Sequence, residues 1–483
     1  MAEISRPPIV TILGHVDHGK TTLLDFIRKA NVASKEHGGI TQHIGAYQAE
    51  HEGKLITFID TPGHAAFENM RSRGARVADV AVLVVAIDDG IMPQTVEAIK
   101  HIKSAKVSMV VAINKVDLPG IEKQVQLQKI KKQLSDHEVV VEEYGGDVPL
   151  ITLSAKSGDG VDKLLEMINL VAEVNEIKGD PDTAPGGVVI ESTLDKFKGP
   201  IATILIRNGS LKKGDQILVG GVKGKVRAMF DYSGKQLEKA LPSMPVEILG
   251  LEGVPPVGST LGEEMEAKKR EVTDSSLLGK LRDKDKKTLK LVIKADKQGS
   301  LEAIETSLEK FNQEGQVVEF IFIGTGDVTE DNVKRAAAVG AIVLGFNVKV
   351  VPAATKLAEN EGVLIRTYNI IYELLDEMEE VVEDLLRVGQ VEEILGSAQV
   401  IAEFPYGKNE KIAGCRVEEG IISKGHRIRI VRDGEILNET RIKSLKKVKE
   451  EVARVEKGND CGMMFDSQVE FRIGDTVESF RVI

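Results

Sequence analysis

Gly14-His15-Val16-Asp17-His18-Gly19-Lys20-Thr21 joins an apolar run at 9–13 to a helical pattern at 21–29. A glycine-bearing turn between a strand and a helix is a phosphate-binding loop. Its glycines let backbone N–H groups close around phosphate oxygens, and the helix N-terminus adds a favourable partial positive charge. All eight positions are therefore candidate nucleotide contacts. Lys20 is expected to reach the β- and γ-phosphates, and the Thr21 hydroxyl is expected to ligate Mg2+.

Around this loop, apolar runs at 55–59, 80–87, 108–113 and 150–153 alternate with helical patterns such as 95–103. Strands buried on both faces and joined by helices predict a mostly parallel α/β sheet.

The ends of those runs carry four further elements. Asp60-Thr61-Pro62-Gly63 follows 55–59; Asp60 can hold Mg2+ through water, and the Gly63 N–H can meet a γ-phosphate. Asn114-Lys115-Val116-Asp117 follows 108–113, and the Asp117 carboxylate can accept both N1–H and N2–H of guanine, a pair that adenine does not offer. Ser154-Ala155-Lys156 suits a backbone contact to guanine O6. Gly38-Gly39-Ile40-Thr41 lies between the loop and the next strand, where Thr41 can close onto Mg2+ and the γ-phosphate. His64 directly follows the γ-phosphate sensor. It can orient an attacking water, although a histidine in a loop is by itself an ordinary surface residue.

The remaining 300 or so residues change character more than once. Pro181, Pro185, Gly186 and Gly187 mark a linker, and 188–262 read as short strands with Gly and Pro turns, a small β-barrel. The charge-dense segment 263–288 reads as a linker or exposed helix. From 289 strands and helices alternate again without a phosphate loop. Ile371, Leu374, Leu375, Met378, Val381, Val382, Leu385 and Leu386 then recur at helical spacing, either packed on their own domain or spacing the last domain from the rest. Near the end, Glu419-Gly-Ile-Ile-Ser-Lys-Gly-His-Arg-Ile matches Asn208-Gly-Ser-Leu-Lys-Lys-Gly-Asp-Gln-Ile in Gly, Lys, Gly and Ile, which predicts a second barrel of the same type.

Net charge is -11 and Trp is absent, so neither a non-specific nucleic-acid coat nor a broad base-stacking platform is expected. A local basic run, Arg441, Lys443, Lys446, Lys447 and Lys449 with Ser444, could still meet RNA phosphates or be a solvated strand edge. Two cysteines, Cys415 and Cys461, are too few for a disulfide framework and fit a reducing cytoplasm or a processed organellar protein. Each could be a small buried apolar residue. No apolar run approaches the roughly 20 residues of a membrane span, and no secretory signal is read at the start.

The phosphate loop together with Asp60-Thr-Pro-Gly-His64 resembles the translational GTPases. Gly38-Gly-Ile-Thr-Gln-His-Ile-Gly-Ala-Tyr47, Arg71-Ser-Arg-Gly-Ala75, Ala86-Ile-Asp-Asp-Gly-Ile-Met-Pro-Gln-Thr95, Pro245-Val-Glu-Ile-Leu-Gly-Leu251 and Ala413-Gly-Cys-Arg-Val417 resemble bacterial translation initiation factor two. The resemblance runs from about residue 7 to the end and omits the variable N-terminal extension of such factors. It implies a cytoplasmic, monomeric GTPase that uses GTP/GDP and Mg2+. Such a factor places formylmethionyl initiator tRNA on the small ribosomal subunit beside other initiation factors. It promotes joining of the large subunit and hydrolyses GTP when the ribosome triggers it. His64 matches the water-positioning histidine, Val16 and Ile40 an apolar gate, and Asp17 a position linked to a monovalent cation. Cys415 and Cys461 match walls of a formylmethionyl pocket, with Lys446, Lys447 and Asp460 beside the tRNA end. The family has Arg followed by an aromatic where this chain has Lys447-Val448, and Glu where it has Asp460. A non-catalytic GTP-controlled scaffold and an elongation-type tRNA-delivery GTPase are the alternatives.

The expected architecture is multidomain: an α/β P-loop GTPase domain at 1–178, a β-barrel at 184–265, a small α/β/α domain at 285–362, a long connecting helix at 366–393 and an initiator-tRNA-binding C-terminal β-barrel at 397–483.

Overall fold

Val80–Ala86, Val-Ala-Val-Leu-Val-Val-Ala, is buried at every position in the computed structural model, as a strand at the middle of a sheet must be. The structure describes residues 4–29, 40–262, 288–314, 317–388, 392–406, 410–432, 435–448, 450–466 and 469–482. Gly38, Gly39, the charged segment 263–287 and Lys449 of the expected features lie outside them.

The first sheet comprises β1 (Ile9–Gly14), β2 (Gly45–His51), β3 (Lys54–Asp60), β4 (Val80–Ala86), β5 (Ser108–Asn114) and β6 (Leu150–Thr152). Their order is β2-β3-β1-β4-β5-β6, parallel throughout except for edge strand β2. Side chains alternate across a strand, so Val80, Val82 and Val84 fill one core with Leu23, Leu164 and Ile168. Ala81, Leu83 and Val85 fill the other with Ile99, Ile102 and Leu134. The connecting helices are α1 (Lys20–Arg28), α2 (Glu68–Val77), α3 (Pro93–Ala105), α4 (Lys123–Asp136) and α5 (Val161–Val174). The phosphate loop and the loops after β3, β5 and β6 thus leave the C-terminal ends of parallel strands, on one edge of the sheet, while Thr41 lies between α1 and the antiparallel strand β2.

A β-barrel follows, built on β7 (Gly186–Asp195), β8 (Gly199–Asn208), β9 (Gln216–Val219), β10 (Val222–Phe230) and β11 (Pro245–Leu251) in the order β9-β10-β11-β8-β7. Thr260 bridges to Val188 and Leu261 to Val219, which brings the two edge strands together.

The third layer system has four parallel strands, β12 (Leu289–Ala295), β13 (Val318–Thr325), β14 (Ile342–Phe346) and β15 (Ile365–Tyr368), ordered β13-β12-β14-β15. Its helices are α6 (Gln298–Glu309), α7 (Glu330–Val339) and α8 (Pro352–Glu361). Local chemistry sets their ends. Thr329 and Asn332 form a capping box at the start of α7, and Gly340 ends it at φ 67. Pro352 opens α8 and Gly362 closes it at φ 67.

Helix α9 (Ile371–Val388) buries Ile371, Leu374, Met378 and Val382, one stripe at helical spacing. The chain divides into two compact units, Met1–Val382 and Glu383–Ile483, so this stripe belongs to the first.

The second unit is a closed antiparallel barrel. Its strands are β16 (Glu392–Tyr406), β17 (Glu410–Ser423), β18 (Arg427–Arg432), β19 (Glu435–Lys447), β20 (Asp460–Phe465) and β21 (Thr476–Val482). They run β16-β21-β18-β19-β20-β17, and β17 pairs back onto β16. The sequence repeat has a backbone counterpart. Gly209 and Gly420 have φ of 69 and 68, Gly214 and Gly425 have φ of 98 and 84, and each second glycine precedes the next strand. No helix among the described residues is long and apolar enough to cross a membrane.

Candidate functional site

The phosphate loop turns where side chains do not fit. Gly14 has φ 147, and a Cβ there would stand 2.3 Å from the Val84 carbonyl oxygen. Gly19 has φ 86, and its Cβ would meet Asn114 Nδ2 at 2.3 Å. Asp17 holds φ 61, a conformation that short polar side chains tolerate best after glycine. Lys20 is buried against the His15 carbonyl oxygen, and burial pushes its ammonium down to about 8 against the pull of Asp60. Burial also takes His18 down to about 4 and lowers His15, so both rings are neutral walls of the loop rather than phosphate-neutralising charges. A Cβ on Gly63 would lie 2.5 Å from Lys20 Nζ, which places the Gly63 backbone beside the phosphate-binding ammonium.

Two hydroxyls meet nearby. Thr21 Oγ1 and Thr41 Oγ1 are 2.9 Å apart. The two are hydrogen-bonded to each other, and that separation is close to the roughly 3 Å between neighbouring ligands on an octahedral Mg2+ with bonds of about 2.1 Å, so the pair fits such an ion. The Asp60 carboxylate is buried at the end of β3, with Arg28 Nη2 3.8 Å away.

On the base side, Asn114 is buried and bonds in two directions. Its Nδ2 donates to the His18 carbonyl at 2.8 Å and its Oδ1 accepts from the Ala155 amide at 2.8 Å. One side chain therefore ties the phosphate loop to the Ser154-Ala155-Lys156 loop. Lys115, at φ 63, reaches Asp88 at 3.5 Å and Asp89 at 3.7 Å. Asp117 is exposed, and a hydrogen bond with Ser154 holds its carboxyl below the usual range, so it is ionised. Ser154 is itself buried and Lys156 exposed.

Val16, Asp17, Lys20, Thr21, Ile40, Thr41, Gly63 and His64 line one cavity. His64 Nδ1 accepts from the Ala66 amide at 3.0 Å, and burial lowers its pKa to about 4, with Arg71 adding to the effect. Several residues here were assigned no chemical role from the sequence. Arg71 is completely buried; it donates to the carbonyls of Pro62 and His64 and pairs with Glu97. Against the upward push of burial, the His101 bond and the Arg71 charge keep the Glu97 carboxyl low. Gln94 Oε1 accepts from the Val16 amide at 3.0 Å. Tyr372 joins the cavity from α9, its ring centroid 3.8 Å from that of His64. Gln42 Nε2 donates to the Asn369 carbonyl at 2.8 Å, and its Oε1 accepts from the Ile371 amide at 3.0 Å. His43 Nε2 lies 3.1 Å from Asp296 Oδ2. Thr41, Gln42 and His43 therefore contact three different elements. Only the threonine carried a chemical signal in the sequence; a Gln and a His in a loop carry none.

In the second unit, β19, β20 and β17 are neighbours, and their registers align Lys446 with Gly462, Gly414 with Gly462, Cys415 with Cys461, and Arg416 with Asp460. Cys415, Lys446, Lys447, Asp460 and Cys461 are thereby collected on three adjacent strands. Both thiols are buried in the barrel core; burial raises Cys415 strongly and Cys461 to about 11, so neither is a thiolate. Asp460 makes a two-point ion pair with exposed Arg416, at 2.7 and 3.0 Å. Lys447 donates to Asn459 Oδ1 at 2.8 Å. Arg441, Lys443 and Lys446 point outward although their spacing is not strictly even, because a register shift between Ile442 and Ser444 resets the alternation.

Three family models match along the chain. Residues 5–173 match Elongation factor Tu GTP binding domain, 185–264 Elongation factor G domain 2, and 263–379 Translation-initiation factor 2. The chain is 47% identical to Translation initiation factor IF-2 of Caulobacter sp. (strain K31) over 99% of this chain and 48% of that protein. It is 46% identical to Translation initiation factor IF-2 of Carboxydothermus hydrogenoformans over 99% of this chain and 60% of that protein. The chain spans about half the length of the curated relatives it matches. Among solved structures, GDP-bound aIF5B from Aeropyrum pernix is similar with a TM-score of 0.50 at 27% identity, covering 99% of this chain and 92% of that one.

Proposed function

We propose that this chain, which belongs to the translation initiation factor 2 family, binds GTP and GDP and hydrolyses GTP at the cavity around Lys20 and His64. The observation that carries the reading is the pair of hydrogen bonds by which Asn114 donates to the His18 carbonyl and accepts from the Ala155 amide, which ties the phosphate loop and the base loop into one site.

The loop amides and Lys20 would hold the phosphates, and Asp117 would read N1–H and N2–H of guanine. Thr21, Thr41 and Asp60 would hold Mg2+, directly or through water. When bound, the ion offsets the charge of the β- and γ-phosphates. Gly63 would sense the γ-phosphate through its amide. His64 would orient the attacking water, while Val16 and Ile40 keep bulk water away; Asp17 would border a monovalent cation. The phosphate loop contains no Arg, so no arginine finger within it adds to Lys20 and the loop amides in stabilising the charge that develops in the transition state, and a slow intrinsic rate follows. A ribosomal partner would supply the rest.

The relatives' printed name supports a role in translation initiation. The chain would bring formylmethionyl initiator tRNA to the small subunit, with Cys415, Cys461, Lys446, Lys447 and Asp460 near the tRNA end, and would promote joining of the large subunit in the cytoplasm. The domain bounds 1–178, 184–265, 285–362 and 397–483 belong to the same proposal, while of the connecting helix expected at 366–393 residues 366–368 lie in strand β15 and the helix itself is α9, Ile371–Val388. Nucleotide and tRNA binding to the full chain test it. GTP and GDP should bind and ATP should not, and formylated initiator tRNA should bind more tightly than the unformylated form. Equal binding of ATP would remove the guanine reading, and equal binding of both tRNAs would favour an elongation-type role.

A further inference from the structure

The cavity that holds His64 is not closed by the first domain alone. Every described residue lining it comes from the first 64 positions except Tyr372, in the first turn of α9. The Tyr372 and His64 rings meet edge to face, with centroids 3.8 Å apart and planes at 81°. Gln42 fixes where Tyr372 stands, since it bonds the backbone of Asn369 and of Ile371, the residues on either side of the helix start. Gln42 is buried and follows Thr41, whose hydroxyl meets that of Thr21.

The state of His64 in this seat is unproductive. Its Nδ1 accepts the Ala66 N–H, so a neutral ring carries its proton on Nε2. That nitrogen can only donate, whereas a water that attacks phosphorus needs an acceptor for its own proton. The low pKa caused by burial agrees with a neutral ring. To offer the water an acceptor, the imidazole, which packs against the Tyr372 ring, must turn out of the Ala66 bond.

We propose that Tyr372 is a positioning residue for His64: from outside the GTP-binding fold it holds the imidazole in the seat where Nδ1 accepts from Ala66 and so restrains hydrolysis until α9 shifts. The inference rests on the reading of His64 as the water-positioning group. It concerns the aromatic ring rather than the hydroxyl, so phenylalanine preserves it.

The test uses the full chain without ribosomes, as wild type, Tyr372→Ala, Tyr372→Phe, His64→Ala and the double variant Tyr372→Ala/His64→Ala. Tyr372→Ala should raise kcat for GTP hydrolysis by about tenfold with KM little changed, which corresponds to losing one weak restraint. Tyr372→Phe should restore the wild-type rate, and the gain should vanish in the double variant. The His64 imidazole resonances should move in Tyr372→Ala and return in Tyr372→Phe, because the ring current of residue 372 shifts them. An unchanged or lower kcat in Tyr372→Ala, or a gain that survives removal of His64, overturns the proposal. Failure of wild type to hydrolyse GTP even with ribosomes would instead overturn the functional reading beneath it.

Discussion

Asn114 Nδ2 donates to the backbone carbonyl of His18 at 2.8 Å, so a residue at the end of β5 holds the middle of the phosphate loop. The same side chain receives the Ala155 amide. Asn114→Ala should leave two buried partners unsatisfied, at about 1–3 kcal/mol each, and should weaken GTP and GDP alike. Denaturant unfolding and nucleotide titration check this. Selective loss of GTP alone would contradict it, because neither bond reads the γ-phosphate.

The depressed pKa of Lys20 makes nucleotide binding proton-linked. In the free protein the ammonium titrates near 8, against an ordinary value of 10.5. Phosphate oxygens favour the charged form and raise that value. Binding at about pH 9 should therefore take up a proton, and affinity should fall as pH rises past 8 but stay flat below it. Calorimetry in buffers of different ionisation enthalpy reads the uptake directly. Zero uptake at about pH 9 would mean that Lys20 is charged in both states.

Val448 is β-branched, 89% exposed and held at φ 60, in the turn after Lys447. That conformation costs a non-glycine residue about 1–2 kcal/mol, and the extra freedom of glycine in the unfolded chain returns about half. Val448→Gly should stabilise the second unit by roughly 0.5–1 kcal/mol and leave GTP binding unchanged. A lower denaturant midpoint would show that the valine makes a compensating contact.

Contiguous motifs were legible. Gly14–Thr21, Asp60–Gly63 and Asn114–Asp117 each follow a strand, and a strand that ends in a loop of fixed chemistry announces itself in one dimension. The second barrel was legible because Gly209 and Gly420, and Gly214 and Gly425, must adopt the same unusual φ. What escaped the reading depends on contacts between distant segments. Tyr372 reads as one polar-faced position on an amphipathic helix, and only folding brings it to His64. Arg71 entered the reading only as part of a family motif with no role of its own, yet it is completely buried, its guanidinium held by the Pro62 and His64 carbonyls and the Glu97 carboxylate. Edge strand β2 escaped because Gly-Ala-Tyr-Gln-Ala-Glu-His lacks an apolar run.

The account turns on His64 as a catalytic group within a ribosome-gated GTPase, and GTP turnover by wild type and His64→Ala, with and without ribosomes, decides it. Wild type should be slow alone and accelerated by about 10³-fold or more by ribosomes, while His64→Ala should bind GTP normally and lose most of that acceleration. His64→Ala turning over as fast as wild type on the ribosome would contradict the account and leave a GTP-controlled scaffold in its place.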